Sequence, residues 1–340
     1  MPLSLSRQNI LYFTRGNRVQ YKNLGAADEI GQLSKLQEKH GDLKLLESGG
    51  ADQPGILAIA TTKGVVQVWD CESKKMTGSW STKGVGSMAW NGPVLSMGGL
   101  KGTIRYYDTR IQPSSKMKEQ APKVTRHQAP ILTMSWNVDG RILASGDESG
   151  VAHCWDARQK ERVPLDVGEF VSRRKKIQHD GSISALSWCP WQSKVLATGD
   201  VTGLVKIWSI EASHSGSNAT TPGKLELGSK IVNLYFSPNY KELLSVLGPS
   251  SAPPDPEATG SQTWPRSILS NSVAVHSYPS LRQITNLPVS DQAIGGSVLN
   301  AGATKIVVAV PGEAKLKVFD AWGKRKEVKR QTSFLGNAIR

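Results

Sequence analysis

The residues able to do chemistry in this chain are few and scattered. It carries six His and three Cys in 340 residues. His127 and His179 each stand a few residues before a short apolar run, where an imidazole ordinarily bonds a turn. The Ser, His and Asp residues have no nucleophile-elbow context, and Ser48-Gly49-Gly50 lacks the Lys-Ser/Thr of a phosphate loop. Cys71, Cys154 and Cys189 are odd in number and form no Cys-x-x-Cys, which argues against a disulfide framework or a zinc site and for a reducing compartment. No catalytic residue, cofactor or metal site emerges, and the expected activity is binding.

The net charge of +14 suggests an acidic partner or a basic face. Its densest runs are Arg173-Arg174-Lys175-Lys176 and Lys324 to Arg330. Neither is interleaved with stacking aromatics, so they read as solvated loops or import signals and nucleic acid is disfavoured. There is no apolar run of 18 residues and no signal-peptide pattern at Met1–Ser6, which gives the expectation of a soluble intracellular protein with no membrane partner.

What could position a binding site is a repeat. In His179 to Ile210, Ile183–Trp188, Val195–Thr198 and Leu204–Trp208 read as three short strands, with Thr202-Gly203 as a hairpin turn. Relative to Trp208, Gly203 stands five residues earlier, with Val205 and Ile207 between. The same offsets recur before Trp69, Tyr107 and Trp155 with Gly64, Gly102 and Gly150, and before His276 with Asn271. Phe319 with Ala314 and a weaker copy at Lys22 with Asn17 make seven. Gly and Asn tolerate the positive φ such a turn needs. The pattern is that of a WD-repeat propeller: an all-β fold of seven blades at about 1–35, 36–82, 83–125, 126–178, 179–228, 229–290 and 291–325. A Pro-, Ser- and Gly-rich insertion at about 248–271 reads as a disordered loop, Pro113 to Pro122 as a polar connector, and 326–340 as an exposed tail. WD blades commonly carry an Asp six residues before the anchor, bonded to a His at the blade entrance. Those positions hold Lys63, Lys101, Ser149, Thr202, Ser270 and Glu313, so the staple is expected to be mostly absent, leaving stability to blade stacking and ring closure.

Particular residues then resemble one family. Cys189-Pro190-Trp191-Gln192-Ser193 followed by Val195-Leu196-Ala197-Thr198-Gly199 is similar to the fifth blade of the Fizzy and Fizzy-related proteins, WD-repeat coactivators that recruit substrates to the anaphase-promoting complex, a ubiquitin ligase. Ser237-Pro238-Asn239-Tyr240-Lys241-Glu242-Leu243 resembles their sixth blade, Asp139-Gly140-Arg141 with Leu143-Ala144-Ser145-Gly146 their fourth, and Tyr107-Asp108-x-Arg110 their third. The resemblance is strong over 80–245 and thin at both ends. It implies a non-catalytic adaptor without cofactor, at work in the nucleus and cytoplasm, with ligase subunits and degron-bearing substrates such as cyclins as partners. Family members end in Ile-Arg, which docks on the ligase, and this chain ends Ile339-Arg340.

Two departures follow from the same resemblance. The family's coactivators carry a basic-aromatic activating box before the propeller. Here the repeats start within the first ten residues without one, so the chain reads either as part of a longer protein or as an adaptor unable to activate. The family reads Lys-Glu-Asn degrons through polar residues whose positions here hold Glu148, Gly150 and Gln292, which could not make the same bonds. An acidic residue receives the Arg of Arg-x-x-Leu degrons between the first and seventh blades, and Glu313 matches it. The alternative reading is a generic WD-repeat scaffold in another assembly, such as RNA processing.

Overall fold

The short alternating segments fold as antiparallel sheets, seven of them, each contiguous in sequence. The computed structural model describes residues 1–26, 29–50, 52–159, 163–171, 174–210, 223–250 and 269–322. Of the insertion at about 248–271, residues 251–268 lie outside the described residues, while Gly248, Pro249 and Ser250 end the strand Glu242–Ser250 and are no loop; the Lys324 to Arg330 run and the tail with Ile339 and Arg340 also lie outside the described residues.

Each blade begins with an inner strand: Leu3–Leu5, Leu43–Ser48, Val85–Asn91, Ile131–Trp136, Ile183–Trp188, Ser229–Phe236 and Gly296–Leu299. These pack side by side in order, and Gly296–Leu299 meets Leu3–Leu5 to close the ring. Second strands such as Ile142–Asp147 and Val195–Asp200 are buried along their whole length. Neighbouring blades cover both their faces, so they read as apolar and small-residue runs without alternation. Outer strands meet solvent. In Lys75–Ser81 only Trp80 is buried. Aromatics stitch blade to blade at the ends of inner strands: Trp90 Nε1 donates to the Glu47 carbonyl at 3.1 Å, Trp136 Nε1 to Ser96 Oγ at 3.1 Å, and Trp188 Nε1 to the Ser135 carbonyl at 2.9 Å. Six apolar clusters fill the six seams from blade one to blade seven. The seam between blades seven and one holds none among the described residues, and there Asn300 Nδ2 donates to Asn9 Oδ1 at 3.3 Å.

Four expectations need correction. The staple is present in blades four and five, where Asp147 and Asp200 stand eight residues before Trp155 and Trp208, at the end of the second strand and not inside the turn. In blade one the positive φ of +58° falls on Gly16; Asn17 instead sends its side-chain amide to the Leu36 carbonyl at 3.1 Å. The Pro113 to Pro122 connector contains a helix, Ser114–Gln120, whose Met117 is buried. Part of the Arg173–Lys176 run is no loop: Arg174–Gln178 is a strand, paired with Val151–Asp156 on one side and Glu169–Val171 on the other. In the turn of blade seven, Ala314 takes a φ of +53° despite its Cβ.

Candidate functional site

Strand direction alternates within each blade, so the turn between second and third strands returns to the face where the inner strand enters. Blade-entrance loops and these turns therefore share one face of the ring. All four degron candidates lie on that face, in two places three blades apart.

In blade four, the turn Asp147-Glu148-Ser149-Gly150 presents an exposed Glu148. Its amide donates to the Pro130 carbonyl at 2.9 Å, and its carbonyl accepts from Ser182 Oγ of blade five at 2.7 Å. Gly150 is buried with a φ of +82°, and a Cβ there would lie 2.3 Å from the His179 carbonyl oxygen. Gly150 is thus a packing position that offers a ligand no side chain. Gly150→Ala should lower unfolding stability by about 1–3 kcal/mol, from left-handed strain plus backbone collision. A denaturant midpoint unchanged from wild type would contradict this.

In blade seven, Gln292 lies in the entrance loop and its side chain packs over Gly312, beside Glu313. Glu313 closes the tight turn Pro311–Glu313. Ser290 Oγ donates a short hydrogen bond to its carboxylate, Lys317 Nζ sits 2.9 Å away, and Lys315 Nζ stands at 3.9 Å. The Ser290 bond first, and the Lys317 bond after it, hold this carboxyl below its usual range. The structure thus joins Gln292 with Glu313, and Glu148 with Gly150, but keeps the pairs apart. An incoming guanidinium would have to share Glu313 with Lys317.

The networks missed from sequence underlie the blade-four turn and its neighbour. His127 Nδ1 donates to Asp147 Oδ2 at 2.7 Å, Ser145 Oγ bonds His127 Nε2 at 2.7 Å, and Trp155 Nε1 donates to Ser145 Oγ at 2.8 Å. Blade five repeats it: His179 to Asp200 at 2.9 Å, Thr198 to His179 at 2.7 Å, Trp208 to Thr198 at 3.0 Å. The order Ser145-His127-Asp147 is that of a hydrolytic triad. Yet Ser145 is fully buried and its oxygen already accepts from Trp155, so no substrate carbonyl can approach it. The Asp carboxylates cap the hairpin turns instead. Asp200 Oδ1 accepts from the Thr202 amide at 2.9 Å, Thr202 Oγ1 at 2.7 Å and the Leu204 amide at 3.0 Å. Asp147 Oδ1 does the same for Ser149 and Val151. A repeated Asp-x-Ser/Thr-Gly, at Asp147 to Gly150 and Asp200 to Gly203, was the available signal. Among the described residues, no cluster of three or more His, Cys, Asp or Glu is placed to hold a metal ion.

A closed ring of seven four-stranded or similar sheets, two carrying His–Asp staples, defines a WD-repeat propeller. The family model described as WD domain, G-beta repeat matches residues 119–156 and 172–209, the segments that hold the two staples. The chain is similar to WD repeat-containing protein slp1 of Schizosaccharomyces pombe, 30% identical over 224 residues, covering 65% of this chain and 42% of that protein. It is also similar to Cell division cycle 20.5, cofactor of APC complex, of Arabidopsis thaliana, 32% identical over 254 residues, covering 72% and 52%. The solved structure of the mitotic checkpoint complex contains a chain of the same fold, with a TM-score of 0.75 at 23% identity over 94% of this chain and 90% of that one. The chain belongs to the Fizzy and Fizzy-related family of WD-repeat proteins. It spans about half the length of the curated relatives it matches, at 42% and 52%.

Proposed function

We propose that this chain is a non-catalytic substrate adaptor of the anaphase-promoting complex. It docks through Ile339-Arg340 and holds degron peptides on the turn face of the propeller, in the nucleus and cytoplasm. The observation that carries the reading is family membership, with relatives named as cofactors of the APC complex. Holding a degron and the ligase at once raises the effective concentration of substrate lysines at the ligase.

Glu313 supports capture of Arg-x-x-Leu peptides beside the seam between blades seven and one, the seam left without an apolar cluster among the described residues. Its acceptance is tempered by Lys317, so the Arg contributes modestly. Gly150 supplies no polar side chain and Glu148 supplies a carboxylate, which together disfavour Lys-Glu-Asn peptides. Fluorescence polarisation with an Arg-x-x-Leu peptide tests this. Glu313→Lys should weaken binding several-fold, more steeply at low salt, because it gathers three lysines where the Arg arrives. A peptide with Ala for Arg should not respond to the substitution. Absence of Arg-dependent binding to the wild-type chain would overturn the degron role and favour a scaffold in another assembly.

A further inference from the structure

A cavity of about 380 Å³ opens between blades three and four. The inner strand of blade four ends there at Trp136, and the third strands of the two blades end there at Asp108 and Asp156. It therefore lies on the ring face opposite the turns that carry the degron candidates. Its walls are apolar, with Tyr106, Ile111 and Pro122 from blade three and Trp136 and Trp155 from blade four. Tyr106 and Trp136 meet edge to face at 6.4 Å. Ser96 takes the Trp136 Nε1 hydrogen, so Trp136 offers the cavity a ring without a free donor. The size and the apolar lining suit a bulky side chain. Two residues past Trp136, Val138 is 64% exposed, the highest value for a large apolar residue among the described residues.

Each lip of the cavity carries the same device. Asp108 accepts from Arg110 Nε at 2.9 Å and Nη2 at 2.6 Å, and Asp156 accepts from Arg158 Nε at 2.9 Å and Nη2 at 2.5 Å. The carboxylates line the cavity, but each is already bound fork to fork, and each orients a guanidinium. The two arginine side chains are 71% and 67% exposed, and their remaining N–H groups are left for a partner. Arg141 adds a third charge to the same rim. It is exposed, it has no ion-pair partner among the described residues, and its carbonyl accepts from the amide of Ala157, which lines the cavity. Guanidinia around an apolar hollow suit a ligand that is apolar at its centre and negative at its edges. A cation would meet those arginines and find both carboxylates occupied. We propose that this cavity docks an extended acidic segment of a partner protein. The segment buries one bulky apolar side chain between blades three and four and sets Asp or Glu residues against Arg110 and Arg158 on either side. A degron and this partner then occupy opposite faces and can be held at once. The docking site stands independently of the adaptor reading.

Subtractive peptide display on the full chain tests it. Ala157→Trp fills the cavity from its rim, and Ala157 is exposed, so the blade cores are left alone. A random peptide library on phage is first depleted on Ala157→Trp, which removes sequences that bind elsewhere on the ring. It is then selected on the wild-type chain at about 150 mM salt, where charges more than a Debye length apart are screened. Enriched sequences should carry one Leu, Ile, Met, Phe or Trp flanked by Asp or Glu. The most enriched peptide, synthesised with a fluorescent label, should bind saturably at one per chain. Replacing its apolar residue with Ser, or its acidic residues with Asn and Gln, should each weaken binding by about tenfold or more. Arg110→Gln with Arg158→Gln should do the same, and the peptide-side replacements keep the test sound if that variant loses stability. Lys35→Gln with Lys230→Gln, exposed residues of blades one and six, removes the same charge and should leave binding unchanged. No enrichment after depletion, enrichment of basic or uncharged sequences, or equal loss in the remote double variant overturns the site.

Discussion

Asp200→Ala should cost the propeller about 3–5 kcal/mol of unfolding free energy, the scale of removing one member of a buried ion-paired network. The carboxylate is fully buried. Its removal strands the His179 Nδ1 hydrogen in a fully buried place and takes the acceptor from the part-buried Thr202 amide and hydroxyl and the Leu204 amide. Asp200→Asn keeps an acceptor for the turn but turns an amide toward His179, and should lose less. Asp147→Ala repeats the experiment in blade four. Burial alone would raise the carboxyls of Asp147 and Asp200. The His bonds, then the Ser149 or Thr202 bonds, outweigh it and hold both below the usual range. A depressed folded-state value means their stabilisation is present above the unfolded value of about 4 and is lost as pH falls through the folded one. Urea denaturation at neutral pH checks the size, and repetition at falling pH below about 4 checks the sign, since the gap between wild type and Asp200→Ala should narrow there. A loss under about 1 kcal/mol at neutral pH would mean that stacking and ring closure suffice without the staple.

The ring was legible because its signals are local. Gly64, Gly102, Gly150, Gly203 and Asn271 all take the positive φ that their place in the hairpin demands. The staple was not, although its residues were in view. A residue six before the anchor, such as Ser149 or Thr202, lies inside the turn and becomes a donor to the staple. The acceptor must sit two residues earlier, where its carboxylate can reach back over the turn's amides. The helix Ser114–Gln120 escaped because one apolar residue, Met117, makes no periodic stripe; the surface it plugs is built by Trp80 and Tyr107 from two blades. At the candidate site, sequence placed Glu313 in its turn but could not show its neutralisation. Lys317 reaches it from the following strand and Ser290 from 23 residues away.

Deleting Ile339 and Arg340 should reduce affinity for the ligase by about a hundredfold on the adaptor reading. A charge-assisted bond contributes about 1.5–3 kcal/mol, and burial of an Ile side chain about 1.5–3 kcal/mol more. Immobilising the tail cancels part of the sum, and the roughly 2.7 kcal/mol left corresponds to that factor. The melting temperature should not move, because the described blades close the ring through contacts among themselves. Arg340→Ala should fall between wild type and the deletion. The measurement that bears most directly on the adaptor reading is affinity capture from cell extract with the tagged full chain, comparing intact protein with the two-residue deletion. Subunits of the anaphase-promoting complex should come down with the intact chain and be lost with the deletion. Their absence from the intact chain, or equal recovery with both, would contradict it.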